Sequence, residues 1–134
     1  MQNTKNLVVA VHAKQLAVSV YRLTAVFPTS ERFGLTAQMR RAAVSIGSNI
    51  AEGCGRRSNK ELVGYLYIAS GSASELEFQL EIATDLGFGD PEAARDTGSQ
   101  LQRVRRMLAR LITFLRSQPA WRSKEGPRTG ETPP

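Results

Sequence analysis

The chain has 134 residues, of which 41% are hydrophobic and 22% charged, and its formal net charge is +6 at pH 7. This length fits one domain, and the composition is that of a folded globular protein rather than of a disordered or fibrous one. The sequence contains no run of about 20 apolar residues and no apolar segment with a signal-peptide cleavage site, so we expect a cytoplasmic protein that does not enter a membrane.

The chain has a single cysteine, Cys54, and a single histidine, His12. A zinc site built from cysteine and histidine therefore cannot form within one chain, and no intramolecular disulfide is possible. Catalysis by a Ser-His-Asp or Cys-His arrangement would depend on His12 alone. We expect no enzymatic activity, no metal, no cofactor and no small-molecule substrate.

Apolar residues at alternating spacings of three and four predict four helices. The first helix extends over 5–27 and ends at Pro28, and the second extends over 35–53. We expect Gly53 or Gly55 to take the left-handed conformation that often closes a helix. The seam of the first helix is Val9, Ala13, Leu16, Val20, Leu23 and Phe27. The seam of the second is Leu35, Met39, Ala42, Ala43, Ile46 and Ile50.

The third helix has the most regular pattern. Ser58 and Glu61 have the spacing of a capping box, so we expect the helix to begin there and to end at Gly87. The small residues at 70–74 predict a tight crossing with another helix. The seam is Leu62, Leu66, Ala69, Ala73, Leu76, Leu80 and Ala83.

The fourth helix begins at Asp90 and Pro91, which are typical of an N-cap and of the first helical position. It ends before Pro119. We therefore predict a domain over 1–118, followed by a disordered basic, proline-containing tail over 119–134. The seam of this helix is Leu101, Val104, Leu108, Leu111 and Leu115.

Four helices joined by short links predict an all-α fold, an up-down antiparallel four-helix bundle. The first and third helices carry more apolar surface than one seam requires. On the third helix the excess lies at Tyr65, Ile68 and Ile82. Because such a surface is unfavourable in water, we expect it to be buried between subunits of a homo-oligomer.

The basic charge favours a polyanionic partner, because lysine and arginine release counterions when they neutralise phosphates. Arg103, Arg106 and Arg110 recur on the fourth helix opposite its seam, Arg105 lies nearer the edge, and 101–115 contains no acid. Guanidinium groups in such a stripe suit phosphate oxygens. The alternative is a solvated face that pairs in part with acids of the third helix. Those acids are Glu75, Glu77, Glu81 and Asp85.

Two further basic pairs are candidates for nucleic-acid binding. Arg56 and Arg57 lie in the link after the second helix, where a loop can meet a polyanion. Arg40 and Arg41 lie within that helix, where pairing with an acid such as Glu31 or Glu52 is the alternative.

Asn49 and Glu52 offer the one catalytic alternative, since a buried Glu52 with a raised pKa could act as a general base. No histidine, second carboxylate or metal ligand lies near it in the sequence. We therefore expect both residues to have structural roles, either a hydrogen bond across a helix interface or the orientation of an arginine.

Two segments resemble the signature blocks of the 23S rRNA-intervening sequence protein family. They are 27–53, FPTSERFGLTAQMRRAAVSIGSNIAEG, and 65–77, YLYIASGSASELE, and the likeness extends over about residues 8–116. Two departures are mild: Gly47 occupies a position that is usually proline, and Ala73 one where a larger apolar residue is common. Neither departure affects a charged position.

The resemblance implies a four-helix bundle assembled as a homopentameric barrel. This bacterial family includes accessory proteins of diversity-generating retroelements, which bind a reverse transcriptase and nucleic acid. We predict a non-enzymatic oligomer that binds RNA or DNA without base specificity, as an accessory factor to a reverse transcriptase or another nucleic-acid enzyme. The alternative is a protein-protein interaction scaffold with no physiological nucleic-acid role.

Overall fold

The computed structural model describes residues 4–122, and this part of the chain is helical without any strand. Its four long helices are α1 (Thr4–Thr24), α2 (Leu35–Cys54), α3 (Asn59–Asp85) and α4 (Pro91–Arg116). A 3₁₀ turn at Thr29–Glu31 precedes α2, and a short helix, α5 (Pro119–Arg122), follows α4.

Each long helix packs against the next one in the chain, and α1 also packs against α4. The four helices therefore close into a ring around one core, and the short links make consecutive helices antiparallel. The predicted all-α four-helix bundle is confirmed. Within the described residues, no helix is both long enough and apolar enough to cross a membrane.

The core consists of the predicted seams. Every seam residue of the first, third and fourth predicted helices is buried, and in the second only Leu35 is partly exposed. Burying one Leu, Ile or Val side chain contributes about 1.5–3 kcal/mol, so the inner faces of the four helices supply most of the stability.

α1 ends at Thr24, three residues before the predicted end. Thr24 Oγ1 donates to the Val20 carbonyl at 2.8 Å, and Phe27 N donates to the Thr24 carbonyl at 3.0 Å, so the chain leaves the helix in a tight turn. Proline disfavours a helical conformation in the preceding residue, and Pro28 follows directly. Phe27 is nevertheless buried, with its ring centroid 5.5 Å from that of Phe88.

The predicted left-handed closure of α2 is wrong, because Gly55 has a φ of −86° and ends the helix in the right-handed region. Gly53 has a different role. It is buried within α2, and a Cβ at this position would lie 2.9 Å from both Leu62 Cδ1 and Tyr65 Cβ. The absence of a side chain at Gly53 therefore lets α2 and α3 approach closely just before they are joined.

The small residues at 70–74 contribute to the α2 contact through two of their members. Ala73 is fully buried, and Ser72 Oγ lies 2.8 Å from Ser45 Oγ of α2. Gly71 is exposed, with nothing within 4 Å of the position that its Cβ would take. Gly71 therefore does not contribute to the predicted crossing, because this residue faces away from the bundle.

α3 ends as the sequence predicts. Gly87 has a φ of 74° and donates to the Thr84 carbonyl at 3.0 Å, while Phe88 N donates to the Ala83 carbonyl at 2.9 Å. These bonds form a Schellman motif, in which a left-handed glycine satisfies the last helical carbonyls.

The predicted N-caps are also present. Ser58 Oγ accepts from Glu61 N at 3.2 Å at the start of α3, and Asp90 Oδ2 accepts from Ala93 N at 2.9 Å at the start of α4. Pro91 occupies the first turn of α4, where its missing N–H costs nothing.

Contacts with the bundle continue beyond residue 118, the predicted end of the domain. Pro119–Arg122 form α5, and the partly buried Trp121 packs against the core beside α3 and α4. The contact between the Trp121 indole and the core keeps this segment against the bundle beyond Pro119. The rest of the predicted tail, 123–134, lies outside the described residues.

Candidate nucleic-acid interface

Arg103, Arg106 and Arg110 form an arginine stripe on the outer face of α4, and all three side chains are exposed. Their spacing places them about 4.5 and 6 Å apart along the helix axis. Residues 4–122 form two ion pairs, and neither involves the stripe. Three positive charges therefore face solvent without a neutralising carboxylate from the described part of the chain.

Arg105 lies at the edge of α4 and points toward α3 instead. Its Nη1 donates to Glu77 Oε1, and its Nη2 donates to Ser74 Oγ at 3.3 Å. Gln102 Nε2 donates to the other Glu77 oxygen at 2.8 Å. Pairing with the acids of the third helix, the predicted alternative for the whole face, occurs at Arg105 and not at the stripe.

A groove of about 650 Å³ separates α3 from α4 beside the stripe. Its α4 side carries Arg95, Arg103 and Arg106, and its α3 side carries Glu81 and Asp85. The acids attract cations and repel phosphate, so the groove is unfavourable for a polyanion near the C-terminal end of α3.

Arg40 makes contacts within the bundle. Its Nε donates to Thr24 Oγ1 at 2.8 Å, its Nη2 donates to the Tyr21 carbonyl at 3.3 Å, and its guanidinium carbon lies 4.5 Å from the centroid of the Tyr21 ring. These contacts hold the start of α2 against the end of α1. An acid partner, the predicted alternative, is not used.

Arg41 is exposed and lines a cleft of about 310 Å³ between α2 and α3. Glu75 and Gln79 line the same cleft. Gln79 is 6% exposed, and its Oε1 accepts no hydrogen bond. The mixed charge of this cleft makes it a poorer phosphate site than the arginine stripe.

Arg56 and Arg57 differ in their surroundings. Arg56 Nη2 donates to Glu52 Oε2 at 2.5 Å and to Tyr65 Oη at 2.8 Å, and its guanidinium lies 5.0 Å from the Tyr65 ring centroid. The hydrogen bond to Glu52 raises the pKa of Arg56 above its usual value, which keeps it charged. Arg57 is exposed and forms no ion pair within residues 4–122.

The sequence profile of the 23S rRNA-intervening sequence protein family matches residues 5–110. The chain belongs to this family. No curated relative matches the sequence. A crystal structure of a protein of unknown function from the S23 ribosomal protein family of Bacteroides thetaiotaomicron resembles this chain with a TM-score of 0.73 and 24% identity. The likeness covers 82% of this chain and 99% of the other, and at this identity it shows the fold alone.

Asn49 and Glu52, the two residues considered for catalysis, have structural contacts. Asn49 Nδ2 donates to the Ser45 carbonyl at 2.8 Å and to Ser45 Oγ at 3.1 Å. Glu52 orients Arg56, and 53% of its side chain is exposed, so the burial required of a general base is not found. Within residues 4–122, no group of three or more histidine, cysteine, aspartate and glutamate side chains is placed to hold a metal ion.

The structure brings together four residues, and we call them the aromatic-cation cluster: Lys60, Tyr67, Arg116 and Trp121. Of these, Lys60, Tyr67 and Trp121 were not singled out by the sequence. Lys60 Nζ and Arg116 Cζ each lie 5.5 Å from the centroid of the Trp121 ring. Arg116 Nη1 also donates to Tyr67 Oη at 2.9 Å. The seven-residue spacing of Lys60 and Tyr67 on one helix face was the only local signal for this cluster.

The outer faces of α1 and α3 expose several large apolar side chains, which agrees only in part with the predicted excess, because Ile68 is exposed whereas Tyr65 and Ile82 are partly buried. We call them the apolar outer faces, although charged residues such as Lys14, Glu75 and Glu81 are exposed on the same helices. Their large exposed residues are Val8, Val11, Val18 and Tyr21 on α1 and Tyr67, Ile68 and Phe78 on α3. Phe78 is 63% exposed and Ile68 52% exposed. Isolated apolar residues are normal on a protein surface, whereas a contiguous apolar patch is typical of an interaction surface.

Proposed function

We propose that this family member is a non-enzymatic, oligomeric protein that binds RNA or DNA through phosphates at the arginine stripe, without reading the bases. The supporting observation is the contrast within α4. Arg105 is neutralised by Glu77, whereas Arg103, Arg106 and Arg110 are exposed and have no carboxylate partner in residues 4–122.

The chemistry of the stripe favours phosphate over other anions. A guanidinium group offers paired N–H donors that match two phosphate oxygens, and its charge displaces the counterions of the polymer. Base edges are read by side chains inserted into a groove, whereas phosphate contacts fix position without sequence information. The family description refers to 23S rRNA, which makes RNA the first nucleic acid to test.

The proposal includes assembly. Packing the apolar outer faces against other copies removes Ile68 and Phe78 from water and repeats the stripe around the oligomer. Several linked stripes bind one polymer more tightly than a single stripe, because each further contact is intramolecular. The family resemblance makes a homopentamer and a reverse transcriptase partner the forms to test first.

A second function is favoured by the same apolar faces. They suit a scaffold whose partners are other proteins, with the basic surface docking an acidic partner. Recovery of a stoichiometric protein partner after nuclease treatment, together with no binding of RNA or DNA at low salt, would favour this function.

The test is fluorescence anisotropy of nuclease-treated protein with labelled RNA and DNA over a salt series. Each phosphate contact contributes about −0.9 to the slope of log K against log salt for a duplex. Changing Arg103, Arg106 and Arg110 to Gln should reduce the magnitude of this slope by about 3 per bound copy and weaken binding at every salt concentration.

A matched control has the same loss of charge elsewhere. Lys14, Arg22 and Arg32 are exposed and lie on or just after α1, so their change to Gln also lowers the net charge by three. Retained binding in this control and lost binding in the stripe variant support the site. Equal losses in both variants would show that net charge, and not the stripe, determines affinity.

A further inference from the structure

The aromatic-cation cluster lies at the end of the bundle where α3 begins and α4 ends. Lys60 is in the first turn of α3, Arg116 in the last turn of α4, and Trp121 in α5. Helix packing thus gathers residues from three elements that are separated by up to 61 positions in the chain.

The two cations of the cluster are held in place without being neutralised. Arg116 is fixed by its hydrogen bond to Tyr67 and by the Trp121 ring, and Lys60 lies over the same ring. Neither forms an ion pair within residues 4–122. An aromatic ring attracts a cation but leaves its charge available, so both groups are preorganised to receive phosphate.

The cluster also presents aromatic surface to solvent. Tyr67 is 49% exposed, and Trp121 is only partly buried. Aromatic side chains beside cations are the arrangement by which proteins hold single strands, because a base stacks on the ring while its phosphates meet the charges. Bases in a duplex are already stacked and paired, so they cannot reach the rings.

We propose that this cluster binds single-stranded nucleic acid, with an unpaired base against Trp121 and the flanking phosphates at Lys60 and Arg116. The site rests on the proposed nucleic-acid function and extends it by naming the single strand as the preferred form. Arg110 lies about 9 Å from Arg116 along α4 but about 120° away around the helix axis, so the cluster and the arginine stripe are on different faces of this helix.

The test uses Trp121 as its own reporter, because it is the one tryptophan of the chain. The full-length protein is titrated with a 12-nucleotide single strand, as RNA and as DNA, with a duplex of equal length, and with inorganic polyphosphate. We expect the single strands to quench Trp121 emission and the duplex and polyphosphate to leave it nearly unchanged. Equal quenching by polyphosphate, or none by either single strand, would overturn base stacking at this site.

Variants give the second measurement. Trp121→Leu keeps an apolar side chain but removes the ring, and we expect about tenfold weaker single-strand affinity with duplex affinity unchanged. Trp121→Phe should restore most of the loss. Phe33→Leu is the matched control, because Phe33 is an exposed ring near a cation, 5.6 Å from Arg32 Cζ, before α2 at the opposite end of the bundle. Circular dichroism melting confirms that each variant is folded.

The outcomes separate this site from the proposed function. If Trp121→Leu binds every strand like the unchanged protein while the stripe variant binds none, the cluster is not a site and the stripe remains. If the stripe variant binds like the unchanged protein while Trp121→Leu loses the single strand, the cluster remains and the stripe does not. If the unchanged protein binds no nucleic acid at low salt, both are wrong.

Discussion

The outer faces of α3 and α4 lie side by side but expose different kinds of side chain. α4 exposes arginines on the face opposite its apolar seam, whereas α3 exposes Ile68 and Phe78 together with acids such as Glu75. Both helices bury complete seams, so the fold does not require either outer face. The two faces differ physically, because an exposed guanidinium group is well hydrated, whereas an exposed apolar side chain is unfavourable in water.

The largest expected effect separates the two faces of α3. Leu66→Ala removes a side chain that is fully buried, so we expect the free energy of unfolding to fall by about 2–5 kcal/mol. Ile68→Ala, two residues away and 52% exposed, should change it by less than about 0.5 kcal/mol at protein concentrations where the protein is monomeric. Urea denaturation measures both changes.

Repeating the Ile68→Ala measurement at several protein concentrations tests whether the outer face of α3 is buried between copies. If the outer face of α3 is buried between copies, the cost of Ile68→Ala should increase with protein concentration, because association stabilises only the folded state. A cost that stays near zero over the whole concentration range would contradict burial of this face.

A smaller change in stability, with a large change in assembly, is expected from the pair Ile68→Ser and Phe78→Ser. Polar side chains on this face make its burial unfavourable, so the molar mass measured by light scattering should fall from that of an oligomer toward 14.7 kDa. Arg103→Ser with Arg106→Ser is the matched pair on α4 and should leave the mass unchanged. An equal fall in molar mass for both pairs of substitutions would show that the outer face of α3 has no special role in assembly.

The smallest effect on stability is expected at the ion pair between Glu77 of α3 and Arg105 of α4. Glu77→Gln breaks the ion pair with Arg105, whose side chain is 33% exposed, so we expect a loss of less than about 1 kcal/mol in the free energy of unfolding. The released Arg105 becomes a further unpaired cation on α4, and affinity for RNA should rise a few-fold beyond the rise in Glu75→Gln, which removes the same charge from an exposed position. Equal affinities in the two variants would show that Arg105 does not reach the polymer.

The fold could be predicted almost completely from local patterns. Seam spacing located four helices to within about three residues at each end, and Ser58, Asp90, Pro91 and Gly87 marked their ends, because caps depend on a few adjacent residues. The errors occurred where a distant contact decides. Gly53 is required by the side chains of α3 rather than by the end of its own helix.

The candidate site was predictable in part. The spacing of Arg103, Arg106 and Arg110 places them on one face, which follows from helix geometry alone. Helix geometry did not predict which arginines have partners within the bundle. Arg40 interacts with α1, Arg56 with Glu52 and Tyr65, and Arg105 with α3. These partners depend on which helices are neighbours and on how far each helix is shifted along its axis relative to the next.

The sequence by itself determined the helices, their caps, the buried seams and the basic character of α4, because each arises from residues less than about two turns apart. Only the tertiary structure decided which arginines remain available and that Lys60, Tyr67, Arg116 and Trp121 meet at one end. The reason is physical: ion pairs and cation-π contacts act over a few ångströms, and the packing of the bundle sets which distant side chains come within that range.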